Sequence, residues 1–191
     1  MIFEGMTALD FVGAYDPLTR LKSMRLLPEF EWDLCAFCAD VSDDKGLKFK
    51  PDLAGEPLNP YDLIVVPGGF GTRTLQRDRA FIDWLRTSEV VKLKASVCTG
   101  SLLLGAAGFL KNKRATTHPS AFDELRPYCA QVLDERVVDE GDIVTARGVT
   151  SALDLGLYLV ERLAGSEARA RVARQMDYPY IWQGPHGKDA I

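Results

Sequence analysis

The sequence predicts an α/β fold: a mostly parallel sheet covered by helices on both faces, with a sharp strand-to-helix elbow at Cys98. Three observations carry this expectation. Short, continuously apolar runs such as Leu63-Ile-Val-Val66 alternate with longer stretches that are apolar on one side only. Unbroken apolar runs belong to strands buried on both faces, as in parallel sheets. One run, Lys94-Ala-Ser-Val-Cys98, passes directly into Thr99-Gly-Ser-Leu-Leu-Leu-Gly-Ala-Ala-Gly108, a helical stretch rich in small residues. The 191 residues suffice for one domain with a substantial core and are short for two. Residues 1–191 therefore read as a single domain, with 183–191 as a flexible tail.

In chain order, Leu9 to Leu27 has apolar residues at helical spacing, bounded or kinked by Pro17 and Pro28. A strand is expected over 31–39, then a polar turn at Ser42-Asp-Asp-Lys-Gly46. The run 61–66 is a buried strand entering the glycine loop Pro67-Gly68-Gly69. Asp78 to Thr87 places Phe81, Ile82, Trp84 and Leu85 on one side of a helix. After the elbow, short strands are expected near 114–117, 130–138 and 142–146, with Glu140-Gly-Asp142 as a hairpin turn. Helices over Ala152–Leu163 and Glu167–Met176 close the pattern.

The net charge of -4 argues against a nucleic-acid partner, which asks for a basic patch. No apolar run approaches the roughly 20 residues of a membrane helix, and Met1-Ile-Phe-Glu4 carries no basic flank of a signal peptide. The expected setting is cytoplasmic, with no membrane partner and a small molecule as substrate. Cys35, Cys38, Cys98 and Cys129 are too few and too scattered for a disulfide scaffold. Cys35-Ala-Phe-Cys38 has CxxC spacing, but within a strand residues three apart face opposite sides, so the pair reads as small buried side chains. With two histidines, His118 and His186, the chain offers no zinc or iron cluster, and no metal or other cofactor is expected.

Ser96-Val-Cys98-Thr99-Gly100 concentrates the chemistry. Small residues two before and two after a sharp turn relieve its crowding, as in the G-x-S-x-G elbow. A cysteine there also meets a helix N-terminus, which favours thiolate, and the Thr99 N–H faces any charge that develops on a substrate. The competing reading is a buried cysteine packing at a strand end. Pro67-Gly68-Gly69 presents backbone N–H groups suited to an oxyanion, although glycines at such turns are often only structural. Asp10 lies near a helix start, where carboxylates commonly serve as caps. His118, in Ala115-Thr-Thr-His118, either neighbours the cysteine or is a structural hydrogen-bonder, and His186 lies in a Gly/Pro-rich tail.

Together these motifs resemble the ThiJ/PfpI superfamily (class I glutamine amidotransferase-like), and within it the isonitrile-hydratase branch. The resemblance rests on Leu9-Asp10-Phe-Val-Gly13, Pro67-Gly68-Gly69, Ser96 to Gly108, Arg114-Ala-Thr-Thr-His118 and Thr145-Ala-Arg-Gly-Val-Thr-Ser-Ala-Leu-Asp154, in the family's order. It implies a flavodoxin-like three-layer sandwich, usually a homodimer. Cys98 is then the nucleophile, Asp10 the acid facing it and Thr99 its neighbour, with Gly69 and Thr99 as oxyanion donors. Gly68 and His118 fall at the substrate. Asp10 and Thr99 favour the hydratase branch over members with glutamate and histidine at those positions. Two departures stand out: Pro119 replaces a tryptophan after the histidine, and the sequence starts after most of the family's central first strand, so that either the true start lies upstream or the sheet is compromised at a central position. The implied reaction is cysteine-dependent hydration of isonitriles to N-substituted formamides. An α-oxoaldehyde or amide substrate, or a non-enzymatic redox or stress sensor, is the alternative.

Overall fold

The computed structural model describes residues 1–179; the expected tail and His186 lie outside the described residues. Helix α1 spans Ala8–Ser23 and runs through Pro17 rather than ending there. A proline inside a helix forgoes one backbone bond, at a cost of about 3 kcal/mol. Packing supplies the offset, because Ala14, Leu18 and Leu21 are buried against α6, Ser151–Gln175, through Leu155 and Leu159. Gly165 takes φ +88° inside α6, which is where the sequence divides this region into two helices.

The expected strand over 31–39 shrinks to β1, Cys35–Ala36. It is followed by the hairpin β2, Val41–Ser42, with β3, Lys48–Phe49, and by β4, Leu53–Ala54, which pairs in parallel with β1. The reason lies on the other side of β1. Among the described residues, the backbone that reaches across from there is that of residues 1–3: the Met1 amine donates to Val65 O and Ile2 N–H to Cys35 O, both at 2.8 Å. Below them a cavity of about 620 Å3, walled by Phe11, Tyr15, Phe30, Trp32 and Tyr61, separates residues 30–35 from β5, Leu63–Val66. A segment without a neighbour on one side makes no longer ladder. Cys38 consequently lies beyond the strand and is exposed, which corrects its reading as a core residue, whereas Cys35 is buried with its thiol on Tyr61 Oη at 3.1 Å.

The main sheet has the order β5–β6–β10–β9. Helices α2, Thr72–Leu75, and α3, Arg79–Arg86, lead from β5 to β6, Leu93–Val97, which continues into α4, Gly100–Ala106. The single strand expected at 130–138 is two. Strand β7, Arg114–Ala115, precedes α5, Phe122–Leu125, and then β8, Gln131–Val132, pairs in parallel with β7. Strand β9, Val137–Asp139, pairs antiparallel with β10, Ile143–Ala146. The break over 133–136 is where the chain leaves one partner for the other. Strands β5 and β10 run parallel to β6 on either side.

Helices cover both faces of this sheet. Ile64 and Val66 join Phe81, Leu85, Leu102 and Leu103 in one core; Leu93, Ala95 and Val97 join α1 and α6 in the other. No helix among the described residues is long and apolar enough to cross a membrane.

Candidate active site

At the C-terminal end of β6, Cys98 takes φ +55°. A left-handed non-glycine residue costs about 1–3 kcal/mol and persists only where its surroundings hold it. Here they do. The Cys98 N–H donates to Ala146 O and Arg147 O, both at 3.0 Å, and its carbonyl accepts from Thr117 Oγ1 at 2.9 Å and Ser101 Oγ at 3.1 Å. The strain is local to the elbow that the sequence places here.

Asp10, carried by the first turn of α1, is fully buried although 88 positions separate it from Cys98. Its Oδ2 accepts the Gly68 N–H at 3.1 Å, and its carboxyl interacts electrostatically with the Cys98 thiol. The glycine loop brings these groups together. The point where a side chain at Gly68 would begin lies 2.6 Å from Thr99 N, 2.7 Å from Cys98 Cβ and 2.8 Å from Asp10 Oδ2.

Electrostatics follow from that burial. Desolvation raises the Asp10 carboxyl to about 7, against the opposing pull of the Cys98 side chain and the Gly68 N–H. Burial, then the facing carboxylate, push the Cys98 thiol up to about 12, against the Thr99 N–H directed at sulfur. The resting pair therefore holds its proton on sulfur at neutral pH. The thiolate expected from the helix N-terminus alone is corrected by desolvation, which outweighs the helix-end and backbone contributions.

The loop donors also divide their roles. The Gly69 N–H is spent on Thr99 Oγ1 at 3.0 Å, and Thr72 Oγ1, which donates to Gly69 O at 2.7 Å, lies 3.0 Å from the same Thr99 hydroxyl. Gly69 thus positions Thr99 instead of serving as an oxyanion donor, and the Gly68 N–H is committed to Asp10. The Thr99 N–H remains as the donor at the sulfur. His118 does neighbour the cysteine: a side chain begun at Gly148 would lie 3.0 Å from Cys98 Sγ and 2.4 Å from His118 Cδ2. His118 Nδ1 accepts the Ser120 N–H at 3.2 Å, with Ser120 Oγ at 2.8 Å, so the neutral ring carries its proton on Nε2. Residues 72, 117 and 148 were not singled out from sequence. Gly148 carried the one available signal, a glycine just past a buried strand.

An α/β sheet with helices on both faces and a strained cysteine at the strand end, facing a buried carboxyl, defines a recognisable class of protein. The DJ-1/PfpI family model matches residues 1–162, and this chain belongs to that family. It is 36% identical over 180 residues to isonitrile hydratase from Pseudomonas putida, covering 93% of this chain and 76% of the relative. It is 32% identical over 148 residues to protein DJ-1alpha of Drosophila melanogaster, covering 75% and 68%. The crystal structure of a ThiJ/PfpI family protein from Pseudomonas syringae superposes with a TM-score of 0.85 at 29% identity, covering 98% of this chain and 76% of that one.

Proposed function

We propose that this protein hydrates isonitriles to N-substituted formamides, with Cys98 as nucleophile, Asp10 as the proton carrier and Thr99 as the backbone donor at the reacting atom. The observation that carries the reading is the fully buried Asp10 carboxyl, which meets the Cys98 side chain beside Gly68 and whose pKa burial raises to about 7. An isonitrile, R–N≡C, must gain a proton and a nucleophile at one carbon. The Cys98–Asp10 pair holds one proton for that purpose. Asp10 draws it from sulfur as sulfur attacks and delivers it to the same carbon, giving the thioimidate R–N=CH–S–Cys98. Water, deprotonated by the same carboxylate, then adds to that carbon while the nitrogen is protonated, giving R–NH–CH(OH)–S–Cys98. The C–S bond breaks, releasing R–NH–CHO and restoring the Cys98 thiol. The sandwich is read as flavodoxin-like, as the resemblance implies.

Two features weigh against the alternatives. Redox-sensing cysteines are exposed and thiolate-prone, whereas Cys98 is buried and holds its proton. A Cys–His amidotransfer site needs a histidine base oriented by a carboxylate, while His118 is oriented by Ser120 and offers Nε2–H, a donor. Incubation with cyclohexyl isocyanide should yield N-cyclohexylformamide, with methylglyoxal and hydrogen peroxide as parallel arms. A wild-type protein with no formamide production ends the hydratase reading.

The pair must carry one proton, so kcat/KM should rise as pH increases through about 7, where Asp10 becomes a base. A profile flat from pH 5 to 9 contradicts this.

The chain is further proposed to form a homodimer. Leu9 and Val12, one turn apart on α1 and flanking Asp10, are 45% and 42% exposed, and a second copy would cover them. Sedimentation velocity at micromolar concentration should give a dimer; a monomer refutes it.

A further inference from the structure

We propose that Gly148, together with the His118 ring it accommodates, is the gate that limits the Cys98 site to slim, unbranched reacting termini. The inference rests on Cys98 being the reacting residue and deepens it by naming which substrates reach the sulfur.

Gly148 does not adopt a positive φ, so its backbone does not demand glycine. What the site uses is the absence of a side chain. A single methyl there would stand 3.0 Å from Cys98 Sγ and 2.4 Å from His118 Cδ2, both inside normal contact distances. The imidazole and the Gly148 α-carbon therefore close one flank of the sulfur. Asp10 Oδ2, the Gly68 backbone and the Thr99 N–H also crowd the Cys98 side chain: a Cβ at Gly68 would lie within 2.8 Å of Asp10, Thr99 and Cys98. Cys98 is 6% exposed as a result. A linear –N≡C group is one atom wide at its end and can be threaded into such a slot. A trigonal amide carbon carries an oxygen and a second heavy substituent, one of which meets the ring or Gly148.

The ring is held in place and is not a loose surface group. His118 caps the short 3-10 turn Pro119–Ala121, accepting the Ser120 N–H, and Pro119 fixes φ at the next position. The proline that replaces the family's tryptophan thus belongs to the device that sets the gate.

The test uses covalent labelling of Cys98, read on the Cys98 peptide by mass spectrometry, and does not depend on isonitrile turnover. Methyl methanethiosulfonate is the slim probe and 5,5′-dithiobis(2-nitrobenzoic acid) the bulky one, each rate normalised to glutathione. Wild type should favour the slim probe. Gly148→Ala should slow it by about 10- to 100-fold, the scale of an ångström-level misfit at a reacting atom. His118→Ala should raise the bulky probe's rate by about tenfold, the lower end of that same scale. The double variant should recover part of the slim-probe rate, because the closest collision is with the ring. An unfolded Gly148→Ala protein would label faster with both probes, so misfolding cannot imitate the expected slowing, and His118→Ala tests the gate independently. A Gly148→Ala rate equal to wild type, or an unchanged size ratio in His118→Ala, overturns the proposal. Labelling that obeys these rules in a protein inactive on isonitriles would uphold the gate and reject the hydratase reading alone.

Discussion

Replacing Cys98 by alanine or serine is expected to abolish formamide production from cyclohexyl isocyanide, with kcat/KM falling by about 10,000-fold or more, the scale of losing a covalent nucleophile. Alanine removes the attacking atom outright. Serine keeps an oxygen in its place, but the hydroxyl proton is far more tightly held than a thiol's. Asp10, raised only to about 7, is too weak a base to take it. Stability should change little by comparison. Both substitutes remain at φ +55°, so the elbow's strain persists, and either loses only a small buried group. Cys98→Gly provides the control, since glycine occupies that conformation freely and should gain about 1 kcal/mol while remaining inactive. Calorimetry alongside the assay checks all three. A Cys98→Ala protein with wild-type turnover removes cysteine catalysis altogether.

The elbow was legible in sequence because its signal is local: a buried strand, a cysteine and small residues at fixed offsets all fall between Lys94 and Gly108. The helix boundary at Gly165 and the turn at Glu140-Gly-Asp142 were legible for the same reason. The contraction of 31–39 to Cys35–Ala36 was not, because strand length depends on neighbours and the neighbour of β1 comes from residues 1–3. Pro17 misled in the same way. Its backbone penalty is local, whereas the packing against α6 that overrides it comes from residues 151–175. At the site, Asp10 was placed only through family resemblance, since nothing local links it to position 98. The duty of the Gly69 N–H was misjudged because its acceptor is a hydroxyl 30 residues away. The state of the thiol was misjudged because desolvation is a property of the assembled site, whereas the helix end that favours thiolate can be read from five consecutive residues.

Asp10→Asn should stabilise the folded protein at pH 8 while losing most activity. The folded protein holds the Asp10 proton up to about 7, against 3.8 for the unreacted reference carboxyl. A carboxyl whose pKa is raised on folding contributes its full stability below pH 4 and loses it as pH climbs through about 7. Three units at 1.36 kcal/mol each set a ceiling of about 4 kcal/mol, and coupling to the thiol reduces what is seen to about 2 kcal/mol. For a chain of this size, 2 kcal/mol corresponds to a rise in Tm of about 4–8 °C. Asparagine fits the same space. Its oxygen can still accept the Gly68 N–H, and its NH2 faces the sulfur with no charge to desolvate. The amide cannot carry a proton, however, so the rise of kcat/KM through pH 7 should vanish along with turnover. Thermal melts of wild type and variant between pH 4 and pH 8 provide the measurement: the two should nearly coincide at pH 4, separate progressively as pH rises, and differ by a constant amount above about 7. An Asp10→Asn protein less stable than wild type at pH 8 would mean the ionised carboxylate is well accommodated, and the proton-carrying role built on its raised pKa would fall with it.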